Sequence, residues 1–177
     1  MSRLSRDILA QAQMLARREP RRPKEASLRR SISASYYALF HFLIEDCTRL
    51  VVGTAHSRAS LRQFTGRAFV HGKMKAVCEE FLKTTPKNEL LRPFWPTLRI
   101  AHNAEIQTIA NIFIRLQEQR HAADYDLSQH FTRDDAHLAA RQSQEAIAAW
   151  NRLKVQNKDL SLFFALSLML WPGLSGR

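Results

Sequence analysis

At 177 residues with 45% hydrophobic content, the chain is long enough for one sizeable core and too apolar for general disorder. Lys and Arg number 27 against 16 Asp and Glu, a formal charge of +11. That excess favours RNA, DNA, a nucleotide, an acidic protein or an anionic membrane surface, and leaves open a basic protein whose charge serves solubility alone.

Residues 1–19 hold no apolar signal-peptide core, so a cytoplasmic protein is expected. A first helix is expected over 5–18, where Leu4, Ile8, Ala12 and Leu15 recur at helical spacing. Pro20 and Pro23 then break the chain. A long helix follows over 24–52, with Leu28, Ile32, Ser35, Tyr36, Leu39, Leu43 and Cys47 on one face and Gly53 placed to end it. Residues 56–69 read as a short helix with Leu61 and Phe64 pointing inward. Another helix over 72–83 uses Met74, Val77, Cys78 and Phe81.

Across 84–100 the pattern fails, with Pro86, Pro93 and Pro96 around Phe94 and Trp95, as in a loop ordered by aromatics or a lid. A fifth helix is expected over 103–120 with the stripe Ile106, Ile109, Phe113 and Leu116. The last clear helix starts at Thr132, an N-cap with Asp135 three residues on in a capping-box-like arrangement. It carries Ala139, Ser143, Ala146, Trp150 and Leu153 at bundle-seam spacing. No period-two strand pattern is present. The expectation is an all-α protein, a four-helix-type bundle with extra short helices and an apolar C-terminal segment.

That segment, 160–171, carries no charge. It is too short for a transmembrane span, which needs roughly 20 apolar residues. Docking on the bundle or a partner chain is favoured over a membrane-surface role. Domain boundaries are accordingly expected at 1–158 for the helical domain and 159–177 for the tail.

Chemistry is concentrated in Arg120-His121-Ala122-Ala123-Asp124-Tyr125-Asp126. The stripe of the fifth helix continues past Leu116 to Arg120 and then Asp124. A charge on the extension of a core-facing stripe is costly unless paired. His121 and Tyr125, four apart, share a neighbouring helix face. The set supplies a phosphate clamp, a titratable group and hydroxyl or carboxylate partners. A helix-end salt-bridge network, with Arg120 pairing Asp124 or Asp126, explains the same residues equally well.

Elsewhere, Arg17, Arg18, Arg21, Arg22, Lys24, Arg29 and Arg30 form a basic run, either a solvated face or a track for a phosphate backbone. Tyr37 and His41, off the main apolar face of the second helix, are either packing residues or a second wall of the Arg120 cleft. His71-Gly72-Lys73 reads as a simple turn more readily than as an anion site. Cys47 and Cys78 read as buried thiols rather than a disulfide. The scattered histidines have no zinc spacing, and there is no nucleotide-binding Gly-rich loop or nucleophile elbow. Neither a metal nor a cofactor is expected.

Two strings give a family likeness. Arg30-Ser31-Ile32-Ser33-Ala34-Ser35-Tyr36-Tyr37-Ala38-Leu39-Phe40-His41 resembles the Tyr-Tyr-Ala-x-Phe-His stretch of prokaryotic HEPN (higher eukaryotes and prokaryotes nucleotide-binding) domains. Residues 116–126 resemble their Arg-x-x-Ala-Asp-Tyr-Asp ending. The likeness covers about 28–153 and leaves out the tail.

It implies a helical RNA-targeting protein, often a metal-independent endoribonuclease with Arg, four to six residues and then His. It also implies a homodimer with two motifs facing one cleft, and a toxin or defence role, in some relatives beside a nucleotidyltransferase antitoxin that modifies the motif Tyr. Arg115 and His121, with five residues between, fit the spacing. Arg120 and Tyr125, with four between, fit the variant with Tyr in place of His and match the surrounding residues better. In such a nuclease Arg120 would stabilise the phosphorane charge and His121 would act as general acid or base. Asp124 would orient either one and Tyr125 would hydrogen-bond the phosphate, so these four are the expected catalytic residues. Arg115, Tyr37, His41, Asp126, Arg29 and Arg30 are the expected binding residues. A non-catalytic nucleotide-, RNA- or partner-binding module and a structural adaptor assembling through the apolar tail are the alternatives.

Overall fold

In the computed structural model, which describes residues 3–174, the chain is an all-α helical bundle with no strand among those residues. Eight helices follow in order: α1 (Arg3–Arg17), α2 (Glu25–Val52), α3 (Ala59–Gly66), α4 (His71–Phe81), α5 (Phe94–Thr97), α6 (Ala104–Tyr125), α7 (Arg133–Gln156) and α8 (Lys158–Leu174). Single 3-10 turns cover His56–Arg58 and Ile100–His102. The chain divides into two compact units, and α2, α6 and α7 each contribute to both.

The first unit comprises the residues up to Phe42 together with Ile112–Ile147, four helical segments in all. Its core holds Leu9, Leu28, Ile32, Tyr36, Leu39, Phe113 and Leu116. Tyr36 meets Phe113 edge-on at 5.7 Å and stacks on Phe40 at 5.8 Å. From α7 come Ala136, Ala139, Ala140, Ser143 and Ala146, all buried and small enough for close helix approach. Between α2 and α1 the Ser31 hydroxyl donates to the Ala12 carbonyl at 2.7 Å, satisfying a buried polar group across the helix pair.

In α1 the buried stripe is Ser5, Leu9, Ala12 and Ala16. Of the expected stripe, Ala12 is buried, whereas Leu4, Ile8 and Leu15 are corrected to their neighbours Ser5, Leu9 and Ala16. Small residues, not the largest apolar ones, allow the contact with α2. Leu4 is exposed, and Ile8 and Leu15 are left half-buried.

The second unit takes Leu43–Asn111 and the residues from Ala148 on. Phe81 of α4 lies 4.8 Å from Phe164 of α8, and Trp95 packs on Phe81 at 5.0 Å. The apolar segment is thus a helix inside this unit, with Leu160, Phe164, Ala165, Leu168 and Trp171 buried. Around it, the stretch read as loop or lid is held in place. Trp95 Nε1 donates to the Lys83 carbonyl at 3.1 Å, and the buried Glu80 carboxylate accepts from Lys83 and from the Lys87 backbone N–H at 2.7 Å. Asp46 accepts from Trp150 Nε1 at 2.6 Å and pairs with Lys154.

Helix ends follow local chemistry. Gly53 adopts φ +95° and closes α2. At α7, Thr132 Oγ1 accepts from the Asp135 N–H at 3.2 Å while Asp135 accepts from the Thr132 N–H at 2.8 Å, the reciprocal capping box read from sequence. The inward placement of Leu61 and Phe64 is corrected: they are 53% and 71% exposed. Arg58 and Arg62 donate to the carbonyls of Val52, Gly53 and Ala55 at the end of α2. That anchoring orients α3 by its arginines and leaves its apolar pair outside. Cys47 and Cys78 are buried free thiols, and burial pushes both well up from their ordinary pKa.

Candidate functional site

Helix α6 runs to Tyr125, past the expected end at Arg120, so Arg120, His121, Asp124 and Tyr125 occupy its last two turns. The helix stops where Asp126 turns its carboxylate onto Ser128, accepting from the backbone N–H at 2.9 Å and the hydroxyl at 2.6 Å. Those bonds from Ser128 hold the Asp126 carboxyl below its ordinary range.

The orphan carbonyls at this helix end need donors, and Arg29 supplies them. Its Nη1 donates to the carbonyls of Ala123 and Asp126, each at 3.0 Å, and Nη2 donates to Gln129. Glu25 fixes the other edge of the guanidinium through Nε at 2.9 Å, and Phe131 lies under its plane at 5.2 Å. Arg29 therefore acts as a cap in the folded chain, and Asp126 as a turn former.

Arg120 is the centre of the cluster. Nη2 donates to the Tyr37 hydroxyl at 2.8 Å, and Nε lies 2.8 Å from Asp124 Oδ2. The latter contact is an ion pair off the N–H direction rather than an aligned hydrogen bond. The guanidinium carbon lies 5.4 Å from the ring centroids of both Tyr37 and Tyr125, within cation–π reach of each. Burial opposes the charge, and the Tyr37 hydroxyl and the Asp124 carboxylate more than offset it, so the pKa of Arg120 is raised. With side chains 22% and 24% exposed, Arg120 and Asp124 are screened from bulk water but not sealed off. Ser33 of α2 donates its hydroxyl to Asp124 Oδ1 at 2.5 Å, so each carboxylate oxygen has its own partner.

His121 is exposed, its ring 5.0 Å from that of Tyr125. Tyr37 stacks on His41 at 6.2 Å, and partial burial lowers the pKa of that imidazole. Arg115 sits on an exposed face of α6 and makes no ion pair among the described residues, so the structure does not bring it to the cluster.

Beside the cluster lies an open cleft of about 860 Å³, lined by α1, α2 and the end of α6. Arg29, Arg30, Tyr37, His41, Asp124 and Tyr125 reach its wall; Arg120 and His121 do not. No family model, curated protein or solved structure matches this chain. The site must be read from its own geometry.

That geometry offers cations, two tyrosines and an imidazole to an anionic ligand. Among the described residues no group of three or more His, Cys, Asp or Glu could hold a metal ion. Sequence reasoning missed Ser33, which sits one turn before Tyr37 on α2, and the α1 wall of the cleft. A serine on a helix carries no signal by itself; only its spacing to Tyr37 hinted at a shared face.

Proposed function

We propose that the chain is a HEPN-like RNA-targeting protein that cleaves RNA without a metal ion, the effector of a toxin or defence system acting as a homodimer. The observation that carries this reading is the Arg120 cluster. A half-screened guanidinium is fixed by Tyr37 and Asp124 between two tyrosine rings, next to an exposed histidine and a cleft rimmed by further arginines. The two strings that resemble the family, on α2 and at the end of α6, supply the two sides of this cluster.

In the proposed reaction the RNA 2′-oxygen attacks the adjacent phosphorus and the P–O5′ bond breaks, leaving a 2′,3′-cyclic phosphate and a 5′-hydroxyl. One proton leaves the 2′-hydroxyl and one arrives on O5′. His121 carries a proton as general acid or base. Arg120 stabilises the charge on the phosphorane oxygens, Asp124 orients Arg120, and Tyr125 donates to a phosphate oxygen. A nucleotidyltransferase partner acting on Tyr125 fits its 64% exposure.

The test is incubation of single-stranded RNA with chelator present. Wild type cuts, and the double variant Arg120→Ala/His121→Ala does not. Equal cutting by both would sink the proposal. One observation favours a second reading, an RNA-binding module without catalysis: Arg120 is engaged by Tyr37 and Asp124 and does not line the cleft. Binding without cutting by wild type would select it.

A further inference from the structure

Helix α2 carries Arg30, Ala34, Tyr37 and His41 at intervals of four, three and four, which places them on one line of the helix. All four line the cleft. Arg30 and His41, eleven residues apart, lie about 16 Å from each other along the helix, from the 1.5 Å rise per residue. Opposite them stands α1, with Ile8, Gln11 and Leu15 on the wall. These are positions that the one-residue offset of the α1 core stripe leaves facing away from the packing contact.

Two neighbouring arginines differ in kind. Arg29 spends its donors on the end of α6, whereas Arg30 is exposed and makes no ion pair or hydrogen bond among the described residues. The His41 ring likewise makes no hydrogen bond among them. Desolvation by partial burial lowers its pKa.

A groove with an uncommitted guanidinium, Tyr37 and Tyr125 on its wall, and Ile8, Gln11 and Leu15 opposite matches a strand with spaced phosphates and flat bases. Base–aromatic stacking is indifferent to sequence. Stacked nucleotides advance about 3.4 Å each and unstacked ones more, so about 16 Å takes roughly three to five.

We propose that this α1–α2 groove is the strand path of a single-stranded RNA, with Arg30 a phosphate subsite apart from the Arg120 centre and Gln11 facing the strand from the opposite wall. The proposal rests on the RNA reading above and adds to it a footprint and a direction along α2. An acidic peptide is the competing occupant, since it would also seek Arg30, but it would leave the tyrosine line without a role.

The test uses fluorescein-labelled 2′-O-methyl oligouridylates, which lack the attacking hydroxyl and are not cut, with chelator present and anisotropy as the readout. Binding by wild type strengthens from the two- to the four-nucleotide probe. Arg30→Ala weakens the four-nucleotide probe roughly tenfold and reduces the slope of log affinity against log salt by about one. Gln11→Glu, an exposed change that puts a carboxylate on the facing wall, weakens it comparably. Lys158→Ala, which removes the same charge at the start of α8, has at most a small effect.

Losses no larger than that of Lys158→Ala would overturn the strand path. If Arg120→Ala still abolished RNA cleavage in that case, the RNA reading would stand while the path fell. An Arg30-dependent affinity for polyglutamate, with none for the oligouridylate, would overturn both.

Discussion

Arg29 shows how one side chain can look like a ligand contact and act as a structural one. Its guanidinium serves four carbonyls in and just after the last turn of α6 and one carboxylate on its own helix, with only 15% of the side chain exposed. Hydrogen bonds to charged groups are worth roughly 1.5–3 kcal/mol. Arg29→Met is therefore expected to lower stability by about 2 kcal/mol, measured by chemical denaturation, and to fray the turn that carries Tyr125. Tyr37→Phe removes only the hydroxyl that accepts from Arg120. Under the proposed function it is expected to slow RNA cleavage about tenfold, the worth of one such bond, with unchanged circular dichroism. The role of Arg29 could not be read from the sequence, because its carbonyl partners lie 93 to 100 residues away and basic runs are usually solvated. The pairing of Arg120 with Asp124 was legible, since four residues on a helix make neighbours.

Among the elements, α8 and the α4–α5 connection carry the clearest energetic expectations. Phe164 is fully buried against Phe81 and Trp150. Phe164→Ala is expected to cost about 3–5 kcal/mol, the range for truncating a buried aromatic, read as a fall in thermal midpoint.

Glu80 tests the connection through pH. Burial raises its pKa, but the bonds from Lys83 and from the Lys87 and Asn88 backbones outweigh burial, so the folded carboxyl titrates below its ordinary value of 4.5. Its stabilisation is complete above pH 4.5 and is lost as pH falls through the lowered folded value. Glu80→Gln should thus be destabilised relative to wild type at neutral pH, with the gap closing in acid. Denaturation at several pH values checks this.

Sequence periodicity found the buried faces of α2, α4 and α6, where large apolar residues coincide with the face, and that of α7, where alanines and Ser143 recur at seam spacing before Trp150 and Leu153. In α1 and α3 it placed the helix but not the buried face, for two different reasons. Ser5, Ala12 and Ala16 are buried for their smallness, and α3 is oriented by arginines that bind backbone, a contact no hydropathy pattern contains.

For the molecule as a whole, the formal charge of +11 sets an expectation that does not depend on any one residue. RNA binding should weaken steeply between low and physiological salt as counterions are released. All-α architecture was plain from composition and spacing; of the cleft, the α2 wall with Tyr37 and His41 was among the alternatives read from sequence, whereas the α1 wall was not, because Ile8 and Leu15 read as core residues. The central claim is that the Arg120 cluster cuts RNA through attack of the 2′-hydroxyl. Product-end analysis tests it most directly, using a single-stranded RNA with one 2′-deoxy position, incubated in chelator with wild type and with Arg120→Ala. Wild type should leave 2′,3′-cyclic phosphate ends and make no cut at the deoxy position, and the variant should give little product. Cutting at the deoxy position, equal product from the variant, or no product from wild type would contradict it.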